Sequence, residues 1–573
     1  MWRIKTIFLW LGILIISVFI PFAYSQNTPP SSQTTGAIIG RDQNLENKKR
    51  LEEKIKALQI NQAEIISEDI TLEDSGQEVF IKKIVVQGVT LLTESVTRKI
   101  TNQFQERKLS LSEIKRIGEL ITREYRRRGY VTSSAYIPPQ TIKKGVLIIK
   151  VIEGKLGEIE IKGNKYVRTK SLIKKIELEP KGYFDYSALQ RSLIYINEHP
   201  DRIARAVLVP GKEPQTTDII ITVEDRFPIH IGVEYDNLGS KYIDKDRAAL
   251  IIEHNNLLGF DDRVNFKLQQ TEADFYKFKN VVYTFPLNNT AQAGMYYSHS
   301  KLKLSQEFED VDARGKATLV GLFFNKTVAV RQNFNLRLTG GFDYKHIQNF
   351  LLGAQSSKDE LRVFKGGFDL DLNDSVGRTV IVSEVDVGVP RMFGALASKD
   401  GASSRAGAGG KFVKGVFNFF RIQPMPFDST LLLKNSAQYS NYTLVAAEEF
   451  QLGGAASVRG YPPGEYSGDR GVFSSAELSL PSYFVPKDFN IPFTKDNLFK
   501  AMRFVVFYDW ATTHLNKLLV GEEKHQTLKG CGFGARFNFK DHVFVRLEFG
   551  YPLGKEPSEG KHLYPWINVS WKF

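Results

Sequence analysis

Two charged side chains in this sequence are suited to form a buried pair. Arg459 is the only charged residue between Glu449 and Glu465, in a stretch rich in Gly and Pro. Asp509 interrupts a run of apolar residues further along the chain. A buried guanidinium needs an anionic partner, and a carboxylate can accept two parallel hydrogen bonds from it. We therefore expect Arg459 to pair with Asp509. The alternative for Asp509 is a carboxylate solvated by water.

The sequence carries no pattern typical of catalysis. Its nine histidines are scattered without the HExxH motif or another paired spacing, and Cys531 is the single cysteine. The glycines of Gly530–Gly534 lack the lysine of a phosphate-binding loop and precede no predicted helix, so we interpret them as small residues packed near the loop that carries Arg459. The adjacent Glu448 and Glu449 cannot share one face of a strand. We therefore expect no enzymatic activity, no cofactor and no metal.

Arg459 lies in a long loop, residues 441–470, within a series of segments that alternate between apolar and polar residues. Loops longer than about 12–15 residues in ordered proteins are usually functional. From Phe227 onward the alternation predicts sixteen strands. Their approximate spans are 229–237, 247–258, 262–270, 278–286, 291–302, 315–328, 334–349, 360–373, 378–389, 410–424, 430–440, 471–482, 501–513, 527–539, 543–553 and 564–573.

These strands fit a closed membrane barrel better than a soluble sandwich. A closed antiparallel bacterial barrel requires an even number of strands, and the 40 Phe and 23 Tyr residues suit its aromatic girdles. The strand region is also long for a single sandwich. In the thirteenth predicted strand, Tyr508 and Trp510 would face lipid, so Phe507 and Asp509 would face the lumen.

The amino-terminal part predicts export and a linker. Residues 1–25 have a basic start, an apolar run and a small-residue cleavage site at 23–25, which together predict a signal peptide. An uncleaved anchor is the alternative. Residues 26–76 are a polar linker, and within it the apolar residues of 42–66 recur at helical spacing between charged ones.

Residues 77–153 and 154–225 predict two small α/β units. Each has the order strand, two helices and two strands, with different residues in the two copies. The net charge of +13 suits a cationic lumen or anionic headgroups at the rim of a barrel. No basic and aromatic module accompanies that charge, so we expect no nucleic-acid partner.

Three segments resemble those of two-partner secretion transporters of the haemolysin/haemagglutinin type. The pattern FQLGG-x-x-SVRGY-x-x-GE-x-x-GD-x-G, which begins at Phe450, resembles the inward-folded loop of that family. Residues 507–511 resemble the motif F-x-D-x-G of the wider barrel superfamily, but Ala511 replaces its final Gly, which puts close packing of the loop backbone there in doubt. Residues 121–140 resemble the first POTRA domain, a periplasmic module of the family.

The resemblance implies a fold and a set of functional residues. The expected fold is a membrane β-barrel of 16 antiparallel strands, residues 226–573, preceded by two small α/β POTRA domains, residues 77–153 and 154–225. The functional loop would contain Val458, Arg459, Gly460 and Tyr461, with Asp509 and Phe507 as its anchoring partners. Phe573 would be the terminal aromatic residue by which outer-membrane barrels are recognised for assembly. In the family an amino-terminal helix can plug the pore, so 42–66 would be a plug or, alternatively, a solvated spacer.

The resemblance also implies a function. The chain would be a translocation pore in the outer membrane of a Gram-negative-type cell that secretes a large partner exoprotein, with POTRA domains that capture the unfolded substrate in the periplasm. The implied partners are the exoprotein, outer-membrane lipid and the barrel-assembly machinery, and the pore would be a monomer. The alternative within the superfamily is a barrel-assembly or insertion factor, which usually carries more POTRA domains. An enzyme or a passive solute porin would instead need catalytic spacing or lack POTRA domains.

Overall fold

A computed structural model describes residues 29–57, 78–331, 333–491, 497–539 and 542–573. The chain divides into two compact units. One contains the amino-terminal helix together with Ile229–His254 and Asp262–Phe573. The other contains the described residues from 78 to 228 together with Asn255–Asp261. The predicted signal peptide, 1–25, lies outside the described residues. Among the described residues, no helix is both long and apolar enough to cross a membrane.

The amino-terminal helix, α1, spans Thr35–Ala57, whereas the sequence predicts 42–66. It follows a short 3-10 turn, and the hydroxyl of Thr34 accepts a hydrogen bond from the Ala37 N–H at the start of the helix. The first turns contain two glycines and few charges, which is why the sequence predicts a linker there. The carboxyl-terminal part of the predicted segment, 58–66, lies outside the described residues.

The first α/β domain contains five strands, two more than the three that the sequence predicts. A predicted strand at 79–88 is divided in two, and an additional short strand pairs with its first half. That strand is polar and four residues long, so alternation could not indicate it. The sheets have the orders β1-β3 and β2-β5-β4. The elements are β1 (Glu78–Ile81), β2 (Lys83–Gln87), α2 (Glu94–Thr101), β3 (Arg107–Ser110), α3 (Leu111–Arg127), β4 (Ser134–Tyr136) and β5 (Val146–Ile152).

The second α/β domain is a three-stranded sheet covered by two helices. Its sheet has the order β6-β8-β7, so β6 and β7 are the edge strands. Apolar residues of α5 and β8, among them Leu189, Ile196, Ile219 and Ile221, form its core. The elements are β6 (Lys155–Lys162), α4 (Thr169–Ile173), α5 (Tyr186–Asn197), β7 (Arg202–Pro210) and β8 (Thr216–Asp225).

Residues Asn255–Asp261 also belong to this unit. Arg202, nearly fully buried, donates to both carboxylate oxygens of Asp261 at 2.8 and 2.7 Å. His199 Nδ1 accepts from the Asp201 N–H, so its Nε2–H donates to the Asn255 carbonyl at 2.6 Å. A charge-assisted pair and a neutral imidazole therefore hold this segment in the unit.

The remaining described residues form a closed barrel of sixteen antiparallel strands, which confirms the predicted number. The last strand pairs with the first and closes the sheet. The strands are β9 (Ile229–Asp236), β10 (Arg247–His254), β11 (Arg263–Thr271), β12 (Tyr276–Asn288), β13 (Ala291–Lys303), β14 (Arg314–Arg331), β15 (Phe334–Leu351), β16 (Ala354–Asp374), β17 (Gly377–Gly388), β18 (Phe412–Met425), β19 (Ser429–Ser440), β22 (Arg470–Pro481), β23 (Met502–His514), β24 (His525–Phe539), β25 (Val543–Pro552) and β26 (Tyr564–Lys572), with the short pair β20 (Phe450–Leu452) and β21 (Tyr466–Gly468) between β19 and β22.

The strands of the barrel present apolar residues outward and polar residues inward. In β23, Val506 and Tyr508 are exposed on the outer wall, whereas Phe507 and Asp509 are buried on the inner side. Period-two alternation produces this division, because successive side chains of a strand point to opposite faces. The lumen is therefore lined by charged groups that need partners across it.

Candidate functional site

The long loop between β19 and β22 folds into the barrel. Its strands β20 and β21 form a small hairpin, and Gly453 and Gly454 have positive φ angles of 92° and 86° where the chain turns toward its tip. Val458 and Tyr461 are fully buried in a cluster that also contains Leu452, and the Gly454 N–H donates to the Tyr461 carbonyl at 2.9 Å. The tip is therefore packed against the inner wall.

The structure brings Arg459 and Asp509 together. Arg459 Nε donates to one carboxylate oxygen at 2.8 Å, and its Nη2 donates to the other at 2.7 Å. The backbone N–H of Arg459 adds a third hydrogen bond to Asp509 at 3.1 Å. The guanidinium also lies 3.3 Å above the ring of Phe507. Both predicted anchoring residues thus contact the same guanidinium, one through charge and one through its aromatic face.

Besides the predicted Asp509, Arg459 has two further acidic partners that the sequence did not indicate. Its Nη1 lies 3.0 Å from a carboxylate oxygen of Glu477 and 3.1 Å from one of Glu548. All three acids are essentially inaccessible to solvent. Alternation places Glu548 on the polar face of β25, but it does not indicate which lumenal groups meet across the barrel. That information depends on where the loop tip lies.

Basic residues of the wall balance the two additional acids. Arg536 donates to Glu477 at 2.8 Å and to Glu548 at 2.9 Å. Lys434 lies 2.8 Å from Glu477, and Arg546 donates to Glu548 at 2.8 Å. We refer to Arg459, Asp509, Glu477, Glu548, Arg536, Arg546 and Lys434 as the lumenal network. Within the described residues Asp509 has Arg459 as its cationic partner, whereas Glu477 and Glu548 have others as well.

Glycines allow the loop to approach the wall. A Cβ atom at Gly460 would lie 2.4 Å from the Tyr551 carbonyl oxygen, and one at Gly550 would lie 2.2 Å from the Arg459 carbonyl oxygen. Both distances are far below van der Waals contact. Ala511, which raised doubt about packing at the missing motif Gly, is fully buried against the loop cluster. Its methyl group is accommodated. Gly530 lies beneath Val458, in keeping with small residues near the loop.

The terminal Phe573 lies outside the network. It follows β26 and is 62% exposed on the outer wall, where its ring stacks on Trp571 at a centroid distance of 5.0 Å. Its backbone N–H donates to the Ile231 carbonyl at 2.8 Å, which places it beside the first strand of the barrel. The position is compatible with recognition from outside the barrel.

Helix α1 lies in the lumen beside the loop. Asp42 is buried and accepts from Arg247 of β10 at 2.9 Å and from the Tyr276 hydroxyl of β12 at 2.6 Å. Glu46 accepts from Lys267 of β11 at 2.5 Å. On the opposite side of the helix, the Gln451 amide donates to the Ala37 carbonyl at 2.7 Å. The helix therefore bridges the wall and the inward loop through polar contacts, and Ile38 and Ile39 in its first turns add buried apolar contacts with the wall.

Comparison with known proteins agrees with this architecture. Residues 215–494 match the family of haemolysin secretion/activation proteins ShlB/FhaC/HecB, and residues 79–154 match the ShlB-type POTRA domain. Together the two matches cover more than half of the chain. The chain belongs to the ShlB/FhaC/HecB family. As a family member it is a POTRA-containing outer-membrane β-barrel transporter that secretes a partner protein by two-partner secretion, and it is not an enzyme.

Individual relatives are distant in sequence but similar over most of their length. The chain is 22% identical over 486 residues to the heme/hemopexin transporter protein HuxB of Haemophilus influenzae, covering 82% of each protein. It is 23% identical over 422 residues to the outer membrane transporter CdiB of Dickeya dadantii, covering 72% of this chain and 74% of the relative. The solved structure of CdiB from Escherichia coli superposes with a TM-score of 0.77 at 22% identity, covering 94% of this chain and 99% of that one, which shows a shared fold.

Proposed function

We propose that this ShlB/FhaC/HecB-family transporter captures its unfolded partner on β7 of the second α/β domain and passes it through the barrel beside the inward loop. The observation that supports this proposal is the free edge of β7. The strand is nine residues long and lies at one side of its sheet. An extended chain can add a strand to such an edge, with the backbone supplying hydrogen bonds and side chains supplying specificity.

The backbone of β7 is only partly occupied. The outward-facing N–H and C=O of Ala204 bond to the side chain of Asn197 at 2.6 and 3.1 Å. Because alternate residues of a strand point the same way, Ala206 and Leu208 also direct their backbone groups away from β8. Among the described residues, none occupies those two N–H groups. They are available to an incoming strand.

The side chains of the two edge strands distinguish them as docking sites. Ile203 and Val207 of β7 are 45% and 56% exposed, and they would flank an added strand. The other edge, β6, carries Glu158, Glu160 and Lys162 in its exposed positions. Charges protect an edge against strand addition. The exposed face of β7 carries one charge between these apolar residues, Arg205, which pairs with Glu224 of β8. The edge of β7 is therefore the less charged of the two and fits an unfolded protein segment better than the edge of β6.

A proline at Leu208 tests this capture site. Leu208→Pro removes an N–H that faces away from β8, so the sheet itself can persist, as proline is tolerated on edge strands. We expect a drop of about tenfold in the partner exoprotein that reaches the medium, with precursor left in the periplasm. Leu208→Ala, which keeps the N–H, is the matched control and should secrete almost normally. Undiminished secretion by Leu208→Pro would show that capture does not use this edge.

The remaining assignments are part of the same proposal. Val458, Arg459, Gly460 and Tyr461 form the working tip of the loop, with Asp509 and Phe507 as its anchor. Helix α1 occupies the pore at rest and leaves for transport. The barrel-assembly machinery recognises the exposed Phe573 during biogenesis. The pore is a monomer, and its apolar outer wall contacts outer-membrane lipid. No nucleic acid and no cofactor takes part.

A further inference from the structure

We propose that Arg405 is a positioning residue that closes the outer mouth of the barrel. Arg405 belongs to the loop between β17 and β18, residues 389–411, at the end of the barrel opposite to the start of β9. The loops 441–469 and 515–524 lie at the same end, because all three follow odd-numbered strands of the barrel. In an outer-membrane transporter whose POTRA domains are periplasmic, this end is extracellular. Arg405 is only 2% exposed, although it belongs to an extracellular loop.

The guanidinium of Arg405 joins these three extracellular loops. It donates to both carboxylate oxygens of Glu522 in loop 515–524, at 2.8 and 2.7 Å, and to the Lys517 carbonyl at 3.0 Å. Its Nε lies 3.3 Å from a carboxylate oxygen of Glu449, which is buried at the base of the inward loop. We refer to Arg405, Glu522 and Glu449 as the mouth clasp.

The clasp continues toward the lumen. Ser467, on the return strand of the inward loop, donates to the second oxygen of Glu449 at 2.6 Å. The Ser467 hydroxyl lies 3.0 Å from that of Ser31, in the turn that precedes helix α1. A continuous polar path thus joins an extracellular loop, the base of the inward loop and the segment before the helix. Movement of Arg405 would therefore displace the contacts of both elements that fill the pore, the inward loop and helix α1.

The neighbouring residue fixes the loop that presents Arg405. The Ser404 N–H donates to Asp359 of β16 at 2.9 Å, and the Ser404 hydroxyl accepts from the Ala446 N–H at 3.1 Å. These contacts of Ser404 fix the backbone next to Arg405, so the Arg405 side chain extends toward Glu522 from a fixed position. Glu522 is the accessible member, because its side chain is 25% exposed whereas that of Glu449 is fully buried. The pair with Glu522 is the part of the clasp that can open toward the cell exterior.

The labelling of a cysteine beneath the clasp from outside the cell tests the inference. Ala446→Cys, in a Cys531→Ala background, places a thiol at a position that is fully buried under loop 389–411. The rate at which a membrane-impermeant maleimide labels it in intact cells reports opening of the mouth. We expect Arg405→Ala to raise this rate on the order of tenfold and Arg405→Lys to raise it less, since a point charge cannot replace the bidentate fork.

Arg421→Ala is the matched control. Arg421 pairs with Asp374 at 2.8 Å at the opposite end of the barrel, away from the extracellular loops, so the labelling rate should not change. Heat-modifiable migration in gels establishes that each barrel is folded. If Arg405→Ala fails to fold, Glu522→Gln provides the test from the accessible side and should raise labelling by a smaller factor. The reference is the Ala446→Cys protein in which Arg405 and Glu522 are intact. If Arg405→Ala or Glu522→Gln is folded and is labelled no faster than this reference, the inference is wrong.

Discussion

Replacing Arg459 by alanine perturbs the lumenal network at its centre. The change removes both side-chain hydrogen bonds to Asp509 and leaves that carboxylate, which is fully buried, without its cationic partner. Glu477 and Glu548 are less affected, because Arg536, Arg546 and Lys434 still neutralise them. The cost of the change therefore falls on the contact between the loop tip and β23.

The expected magnitude follows from the burial of the pair. Breaking a buried ion pair by removing one member costs about 3–5 kcal/mol, against about 0–1 kcal/mol for a surface pair. Arg459 is 2% exposed and its partners are fully enclosed, so the larger range applies. At about 1.4 kcal/mol per factor of ten, the ratio of docked to undocked loop should fall by about 10²- to about 4 × 10³-fold.

Asp509→Asn should be milder than Arg459→Ala. The asparagine side-chain oxygen still accepts one hydrogen bond, and the guanidinium keeps Glu477 at 3.0 Å and Glu548 at 3.1 Å. A simple two-residue pair would instead make the two changes equivalent. Arg459→Lys should lie between the parent and Arg459→Ala, because lysine retains the charge without the planar fork. Combining Arg459→Ala with Asp509→Asn should be little worse than Arg459→Ala alone, since both act on one interaction.

Two measurements on the full chain check this order. Hydrogen exchange of residues 450–468 in detergent reports undocking of the loop, and the amount of partner exoprotein in the medium reports transport. Arg378→Ala is the matched control, because Arg378 forms a buried bidentate pair with Asp371 that joins neighbouring strands away from the loop. Arg459→Ala with unchanged exchange in the loop would refute the reasoning. So would an effect of Asp509→Asn as large as that of Arg459→Ala.

Three further changes have defined outcomes. Gly460→Ala should undock the loop tip, because its Cβ would meet the wall backbone at 2.4 Å, and should abolish secretion while heat-modifiable migration remains. Asp42→Ala removes the partner of Arg247 that retains helix α1, so it should raise the ion conductance of the pore in planar bilayers. An unchanged conductance would contradict this prediction. Burial, followed by the Arg202 cation, lowers the pKa of His199 to about 4 from its ordinary value of 6.5. The unfolded state therefore binds more protons between these values, so the stability of the α/β unit should fall as the pH falls from about 6.5 toward 4. Its hydrogen-exchange protection, taken relative to the intrinsic exchange rate at each pH, should fall with it, and His199→Gln should suppress that loss of protection.

Alternation predicted the barrel because it is a local property of each strand. The sequence indicates that Asp509 and Phe507 face the lumen, and the structure places both there. The same reasoning placed Glu548 on a polar face but could not associate it with Arg459, since the two residues meet only through the docked loop. Contacts across a lumen depend on the three-dimensional position of an inserted segment, which periodicity does not contain.

The start of helix α1 illustrates a second limit. Its first turns contain Gly36 and Gly40, residues that disfavour helices, and the sequence therefore predicts a linker. In the barrel these glycines face Ala447 of the inward loop, where Cβ atoms would lie within 2.8 Å of its Cβ and 3.0 Å of its carbonyl oxygen. Close packing against the loop, and not helix propensity, thus explains why small residues occur in this helix. Tertiary contact overrides the local preference.

The distribution of charge between the two arginine sites indicates where opening of the pore begins. Arg459 is held by three enclosed carboxylates, so loss of any single contact leaves it anchored. Arg405 has one enclosed partner and one partner in contact with solvent, Glu522. Water competes for an exposed carboxylate and lowers the free energy needed to separate the pair. The pair of Arg405 and Glu522 in the mouth clasp should therefore separate before the contacts of Arg459 in the lumenal network. On this reasoning the inward loop stays attached to β23 while the extracellular loops and the turn before α1 move, and the thiol introduced by Ala446→Cys should react before exchange increases in residues 450–468. The opposite order would place the first step at Arg459.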